Sequence, residues 1–151
     1  MIISMFGHAT FLPNEDDEKR VISIIEKISN QSNVIFYLGG YGSFDSFALN
    51  CAQKYKNIYP QSKIYFITPY LGKWIDNRRK LYQGLYDEVI YPNLENVPPK
   101  FAIVKRNQWM VKNSDYVICY VSVGFGGAYQ SMLYAQKQKK PYFNLFKGAL
   151  L

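Results

Sequence analysis

Glycines cluster at three points of the sequence, each time directly after a run of apolar residues. The first point is Gly7, and the other two are the trios Gly39, Gly40, Gly42 and Gly124, Gly126, Gly127. Glycine is needed where the backbone takes a positive φ or approaches a ligand closely. A helix that begins after such a turn presents unpaired N–H groups and a partial positive charge, which attract phosphate or carboxylate. A ligand-free turn explains one such segment, but three in a chain of 151 residues favour a ligand cleft.

Two polar side chains follow the second glycine cluster. Ser43 is placed to cap the next helix, and Asp45 falls in the first turn of that helix, where a carboxylate stabilises the helix dipole. A carboxylate at this point could also accept hydrogen bonds from sugar hydroxyls, or stabilise the oxocarbenium-like state formed when a glycosidic bond breaks. The sequence leaves both interpretations of Asp45 open.

His8 follows the first glycine and is the single histidine of the chain. Histidine is the side chain whose ordinary pKa lies near neutrality. At the end of a strand it could contact a phosphate or a base, but a loop histidine without a role is an equal alternative.

Several common classes of site are excluded. The glycine clusters do not end in the Gly-Lys-Ser/Thr of a P-loop, and no GxGxxG motif follows the first apolar run, which argues against an ordinary kinase or dehydrogenase. Cys51 and Cys119 are far apart and lack CxxC spacing, so we expect buried thiols in a reducing compartment. Because the chain has only one histidine in addition to these two cysteines, we expect no metal site. We also expect no cofactor.

The elements that must position these residues alternate along the chain. Apolar runs predict strands over residues 2–6, 33–38, 62–70, 87–92, 115–121 and 141–146. Helical patterns cover residues 14–31, 44–57, 99–113 and about 127–138, and residues 71–86 fit either a short helix or a loop. This alternation predicts an α/β fold: a single Rossmann-like domain over residues 1–151, with a mainly parallel sheet flanked by helices on both faces. In such sheets ligands bind outside the carboxyl ends of the strands.

Charge and hydropathy limit the partners. The formal net charge is +7, which favours an anionic partner. The basic residues are scattered apart from short runs at 78–80 and 137–140, so a small anionic ligand is favoured over nucleic acid. The sequence begins without a recognisable signal peptide and has no apolar run long enough to cross a membrane, so we expect a cytoplasmic protein without a membrane partner. We expect a homodimer, with Trp74, Tyr82 and Tyr86 as candidate contacts.

Two segments resemble a known superfamily. The stretch "GGYGSFDSFALNCA" is similar to the glycine-rich turn, aspartate and alanine-rich helix of the SLOG superfamily, named from SMF/DprA and LOG. The segment "RNQWMVKNSDYVICYVSVGFGGAYQSMLYAQKQKKPYFNL" resembles its second half, and Gly7-His8 resembles the end of the first strand in its small YpsA/YoqJ-like branch. The resemblance implies a Rossmann-like nucleotide-binding domain. LOG-type members hydrolyse the N-glycosidic bond of nucleoside monophosphates, the DprA branch binds single-stranded DNA, and other members are associated with sensing nucleotide-derived signals.

The chain departs from the enzymatic members at their Pro-Gly-Gly-x-Gly-Thr-x-x-Glu signature. Leu38 stands in place of the proline, Ser43 in place of the threonine and Ser46 in place of the glutamate, with Asp45 one position early. This departure favours binding over LOG-type hydrolysis.

The resemblance also assigns candidate ligand contacts. Arg106 becomes the best anion partner, since its planar fork suits a phosphate, and Asn107 could hold either the cleft loop or the ligand. Gly126 and Gly127 become the phosphate cradle, while Tyr129 could reach the ligand or pack within its helix. We therefore predict a nucleotide or nucleotide-derived ligand, bound for sensing or sequestration. The alternatives are a nucleoside or nucleotide N-glycosidase, or a deoxyribosyltransferase-like enzyme, that uses Asp45, and single-stranded nucleic-acid binding in the DprA manner.

Overall fold

The strands form one parallel sheet. A computed structural model of the protein describes residues 1–40, 42–72 and 84–151. The strands are β1 (Ile2–Gly7), β2 (Ile35–Leu38), β3 (Lys63–Ile67), β4 (Glu88–Ile90), β5 (Tyr116–Tyr120) and β6 (Tyr142–Asn144). All pairings in it are parallel, and the spatial order is β4-β3-β2-β1-β5-β6. The strands have almost no polar residues inside them because both faces of the sheet are covered.

Helices cover the two faces of the sheet. They are α1 (Glu15–Ser29), α2 (Gly42–Ile58), α3 (Ala102–Lys112), which a 3-10 turn at Pro99–Phe101 precedes, and α4 (Gly127–Lys137). The start of α1 is fixed by a capping box, in which Asn14 accepts from the Asp17 N–H and Asp17 accepts from the Asn14 N–H. Its end is marked by Asn30 in the left-handed conformation, with φ of 55°.

Alternate residues of each strand enter two separate cores. Met5 and Ile118 pack with residues of α1 and α2 on one face, whereas Phe6 and Cys119 pack with residues of α3 and α4 on the other. The predicted fold class, an α/β Rossmann-like sheet with helices on both faces, is therefore confirmed. Both cysteines are buried thiols, as predicted, and burial raises the pKa of each to about 12.

The strand order creates a crevice at one place. The chain runs outward from β1 through β2 and β3 to β4, then returns to the other side of β1 to form β5 and β6. The loops that follow β1 and β5 therefore lead away in opposite directions. Such a reversal of strand order is where open α/β sheets bind their ligands.

Part of the predicted dimer contact is not supported. Tyr86 is half-buried, with its ring 5.3 Å from the Phe66 ring, so it is not the exposed contact that the sequence suggested. Trp74 and Tyr82 lie outside the described residues, as does most of the ambiguous segment 71–86. None of the described helices is both long and apolar enough to cross a membrane.

Candidate functional site

A cleft of about 500 Å³ lies at the point where the strand order reverses. It is bordered by the β1–α1 loop, the end of β2, the first turns of α2 and α4, the β5–α4 loop and one side of α3. Eight of the predicted site residues line it: Gly7, His8, Gly39, Asp45, Arg106, Asn107, Gly126 and Gly127. Three glycine-containing loops that are far apart in the sequence thus border one concave surface.

The other predicted site residues do not line this cleft. They are Gly40, Gly42, Ser43, Gly124 and Tyr129. Gly40 lies over the Phe66 ring, where a side chain would clash at 2.3 Å. Tyr129 is half-buried and packs against the core on the α3–α4 face of the sheet. For these two residues packing alone accounts for the residue type.

Two glycines allow α2 to begin against the β1–α1 loop. A Cβ on Gly7 would lie 2.1 Å from Cγ of Phe44, which is fully buried in the first turn of α2. Gly42 has a φ of +83°, and a Cβ there would lie 2.9 Å from Cα of Ala9. Such distances are impossible for a side chain. Close packing of the β1–α1 loop against the start of α2 therefore accounts for a glycine at both 7 and 42.

Ser43 anchors the β1–α1 loop instead of capping α2. The helix already begins at Gly42, so Ser43 lies within its first turn. Its Oγ is 2.7 Å from the carbonyl oxygen of Ala9 and 2.6 Å from that of Phe11, and its N–H donates to Ala9 at 3.2 Å. A hydroxyl has one proton to donate, so the two carbonyl oxygens share it. The capping role predicted from the sequence is wrong because the hydroxyl faces a neighbouring loop.

The start of α4 is open toward the cleft. Gly126 precedes the helix with a φ of +90°, and within the described part of the chain no side chain caps the first turn. Gly127 begins the helix without a positive φ, and a Cβ there would meet no atom within 4 Å. Packing therefore does not require a glycine at 127. Gly126, Gly127 and Ala128 all line the cleft, so the start of this helix borders it, and a helix N-terminus is a favourable place for an anion.

Arg106 forms part of the cleft floor and ties two strand ends together. Its side chain is only 3% exposed. Nη1 donates to the carbonyl oxygens of Gly39 at 3.1 Å and Ile67 at 2.6 Å, while Nε donates to Oδ1 of Asn107 at 2.8 Å. The guanidinium thus spans the ends of β2 and β3. The positive charge borders the cleft, but much of its donor capacity is used to hold the loops in place.

His8 connects the two loops that diverge at the strand reversal. Its Nε2 accepts a hydrogen bond from the backbone N–H of Ser122, which follows β5, at 3.0 Å. Because Nε2 accepts, the neutral ring carries its proton on Nδ1. Burial lowers the pKa of His8 below its ordinary value of 6.5, since the charged ring loses solvation.

This link predicts a pH-dependent contribution to stability. The folded protein binds the His8 proton less tightly than the unfolded chain, so the contribution is complete above about pH 6.5 and is lost as the pH falls through the lower folded pKa. Gln at position 8 offers an amide oxygen to the Ser122 N–H and does not titrate. We expect urea unfolding between pH 7.5 and 5 to show a larger loss of stability in the unmodified protein than in His8→Gln. Equal losses in the two proteins would contradict the assignment.

Phe125 is a cleft residue that sequence reasoning missed. Its ring is 69% exposed and lines the cleft from the β5–α4 loop, as do Ser122 and Val123. Its place on the lining of a concave surface, more than its exposure, makes it a candidate ligand contact. The available signal was the aromatic residue between two glycines in "GFGG", where no helix or strand could bury it.

Comparisons with known proteins support the fold. Neither a protein-family model nor a curated protein matches the sequence. Among solved structures, DNA processing protein A (DprA) from Helicobacter pylori, described for its single-stranded DNA binding mode, is 19% identical with a TM-score of 0.65, over 98% of this chain and 66% of that one. DprA from Streptococcus pneumoniae is 16% identical with a TM-score of 0.65, over 99% of this chain and 51% of that one.

These values establish a shared architecture. The fold of this chain is the one found in part of each DprA protein. The broader part of the sequence resemblance, to the SMF/DprA and LOG type of Rossmann-like fold, agrees with this finding. The chain spans about two thirds of the H. pylori protein and half of the S. pneumoniae protein.

Proposed function

We propose that the cleft binds a nucleotide or a nucleotide-derived small molecule. The observation that carries the proposal is the first turn of α4, which no described side chain caps and which lines a cleft at the strand reversal. A phosphate placed at Gly126 and Gly127 would receive backbone N–H groups and the positive end of the helix dipole. A cleft of about 500 Å³ also lies within the range of small-molecule sites.

The cleft adds a charge and an apolar surface to this turn. Arg106 supplies a fixed positive charge at the floor, where the surroundings screen it less than water would. Phe125 offers an exposed apolar ring at the rim. The net charge of +7 favours the approach of an anion. The purpose we propose is sensing or sequestration of the nucleotide, and we also propose that the chain belongs to the YpsA/YoqJ-like branch. The cytoplasmic location and the homodimer stay predictions.

Gly127→Ala tests this proposal without disturbing the fold. The new methyl group would meet no protein atom within 4 Å. Under the proposal it would occupy space beside the bound phosphate. We expect it to weaken nucleotide binding at least tenfold, measured by calorimetry with a panel of nucleoside mono-, di- and triphosphates, cyclic nucleotides and ADP-ribose.

Gly124→Ala is the matched control for that substitution. Gly124 lies in the same exposed loop, has no positive φ and does not line the cleft, and a Cβ there would approach only the Leu151 carbonyl oxygen, at 3.8 Å. We expect its affinity to match that of the unmodified protein. If no ligand in the panel binds the unmodified protein, the proposal fails.

Single-stranded DNA is the second candidate ligand, favoured by the likeness to a DprA protein described for that binding mode. Gel shifts with single-stranded oligonucleotides at increasing salt would test it, because phosphate contacts weaken as salt rises. Binding that persists unchanged at high salt, or no binding at low salt, would argue against this candidate.

Cleavage of a nucleotide is the third candidate. It is favoured by Asp45, which lies in the first turn of α2 and lines the cleft. A carboxylate beside the sugar could stabilise an oxocarbenium-like state or activate water. Release of free base that disappears in Asp45→Asn would support an N-glycosidase. Intact nucleotide after long incubation with the pure protein would exclude it.

A further inference from the structure

A second cavity adjoins the cleft. It has a volume of about 350 Å³ and lies between α3 and α4, and we call it the α3–α4 groove. Ile103, Asn107 and Gly127 line both the groove and the cleft. At Gly127 a side chain would meet no atom within 4 Å, so open space surrounds this shared border. A ligand held at the start of α4 could therefore extend from the cleft into the groove.

The groove combines apolar sides with amide groups. Ile103 and Val104 are 43% and 45% exposed, and Leu133 faces them from α4. Gln108 and Gln130 lie among these apolar residues. Each amide offers both donors and an acceptor. A nucleobase is bound in the same way by many proteins, with its faces against apolar side chains and its edge hydrogen-bonded to side chains such as Asn or Gln.

We infer that the nucleobase of the ligand lies in the α3–α4 groove while its phosphate lies at the start of α4. This inference rests on the proposed function and adds the place where the base binds. The helical rise of 1.5 Å per residue places Gln130 about 4.5 Å and Tyr134 about 10 Å along the axis from Gly127. One ribose separates the phosphate of a nucleotide from its base, and this spacing suits that separation. Phe125 lines the cleft but not the groove, whereas Gln108 and Gln130 line the groove but not the cleft.

Val104→Trp tests the location of the base, because Val104 lines the groove but not the cleft. The probes are ribose 5-phosphate and the four common nucleoside monophosphates, with binding followed by backbone amide NMR shifts in the millimolar range. We expect the substitution to weaken nucleoside monophosphate binding at least tenfold and to change ribose 5-phosphate binding less than twofold. Ile58→Trp is the matched control, since Ile58 is also an exposed aliphatic residue at 56% and lies at the far end of α2.

Gln130→Ala provides a second test that adds no bulk. It removes one amide partner of the base edge. We therefore expect the affinity for at least one nucleoside monophosphate to fall about fivefold and the affinity for ribose 5-phosphate to stay unchanged. This variant decides the question if Val104→Trp does not fold.

The outcomes separate the two claims. If nucleoside monophosphates bind Val104→Trp and Gln130→Ala as tightly as the unmodified protein, the inference about the groove is overturned and the proposed function stands. If neither ribose 5-phosphate nor any nucleotide binds the unmodified protein, the proposed function fails and the inference fails with it. If Val104→Trp changes the mass of the particle in solution but not the affinity, the groove is a contact between copies of the chain, which also overturns the inference.

Discussion

Replacing Arg106 with methionine is expected to lower the free energy of unfolding by about 3 kcal/mol, because two buried carbonyl groups lose a charged donor. Methionine retains an unbranched apolar chain but cannot donate to the carbonyl oxygens of Gly39 and Ile67. The ends of β2 and β3 would also lose the group that joins them. Urea unfolding followed by circular dichroism would measure the change.

Lys105→Met is the matched control for this substitution. Lys105 precedes Arg106 on the same helix, is exposed and carries the same charge. Surface substitutions of this kind change stability by about 0.5 kcal/mol or less. A similar loss in both variants would show that the net charge, and not the buried hydrogen bonds, is responsible. We also expect Arg106→Met to bind nucleotides more weakly, since the Gly39 carbonyl at the cleft would no longer be held.

Replacing Gly7 with alanine is expected to destabilise the protein by about 3 kcal/mol or more, which is the upper end of the usual cost of overpacking a core. The new methyl group would fall 2.1 Å from Cγ of Phe44. Phe44 is fully buried and contacts the rings of Phe11 and Phe47, so it cannot move aside freely. Thermal unfolding would measure the loss, or the variant would accumulate only as insoluble protein.

Gly127→Ala is the control for the Gly7 substitution as well. The same methyl group meets open space at 127, and alanine is the better helix former, so we expect a change in stability within about 0.5 kcal/mol. Comparable melting temperatures for Gly7→Ala and Gly127→Ala would contradict the account of both glycines.

The sequence was sufficient to predict the elements and the fold class. The strands appear as continuous apolar runs because both faces of the sheet are buried, and apolar residues of α2, such as Ala48 and Cys51, recur at helical spacing because one side of the helix packs on the sheet. The order of the strands could not be predicted in the same way, since it depends on contacts between residues far apart in the chain. That order determines where the cleft lies.

The candidate site was predictable only in part. A parallel sheet brings the loops after its strands to one edge, so the convergence of Gly7, Gly39 and Gly127 followed from the fold. The reason for each glycine could not be predicted from the fold. At position 7 a side chain would clash with the Phe44 ring of α2, whereas at position 127 a Cβ would meet no protein atom within 4 Å. Ser43 was misassigned for a related reason, because its partners lie in a loop more than thirty residues earlier.

The hydrogen bond between His8 and Ser122 gives the molecule a built-in indicator of its own conformation. The chain has one histidine, so a histidine-labelled sample yields a single set of imidazole nitrogen resonances. The Nε2 resonance responds to whether the ring still accepts from the opposite loop. A ligand that separates the two loops would shift this resonance. A ligand that binds between them without breaking the hydrogen bond would leave the chemical shift unchanged. The resonance therefore reports whether the two loops have separated, and it does so in the unaltered protein.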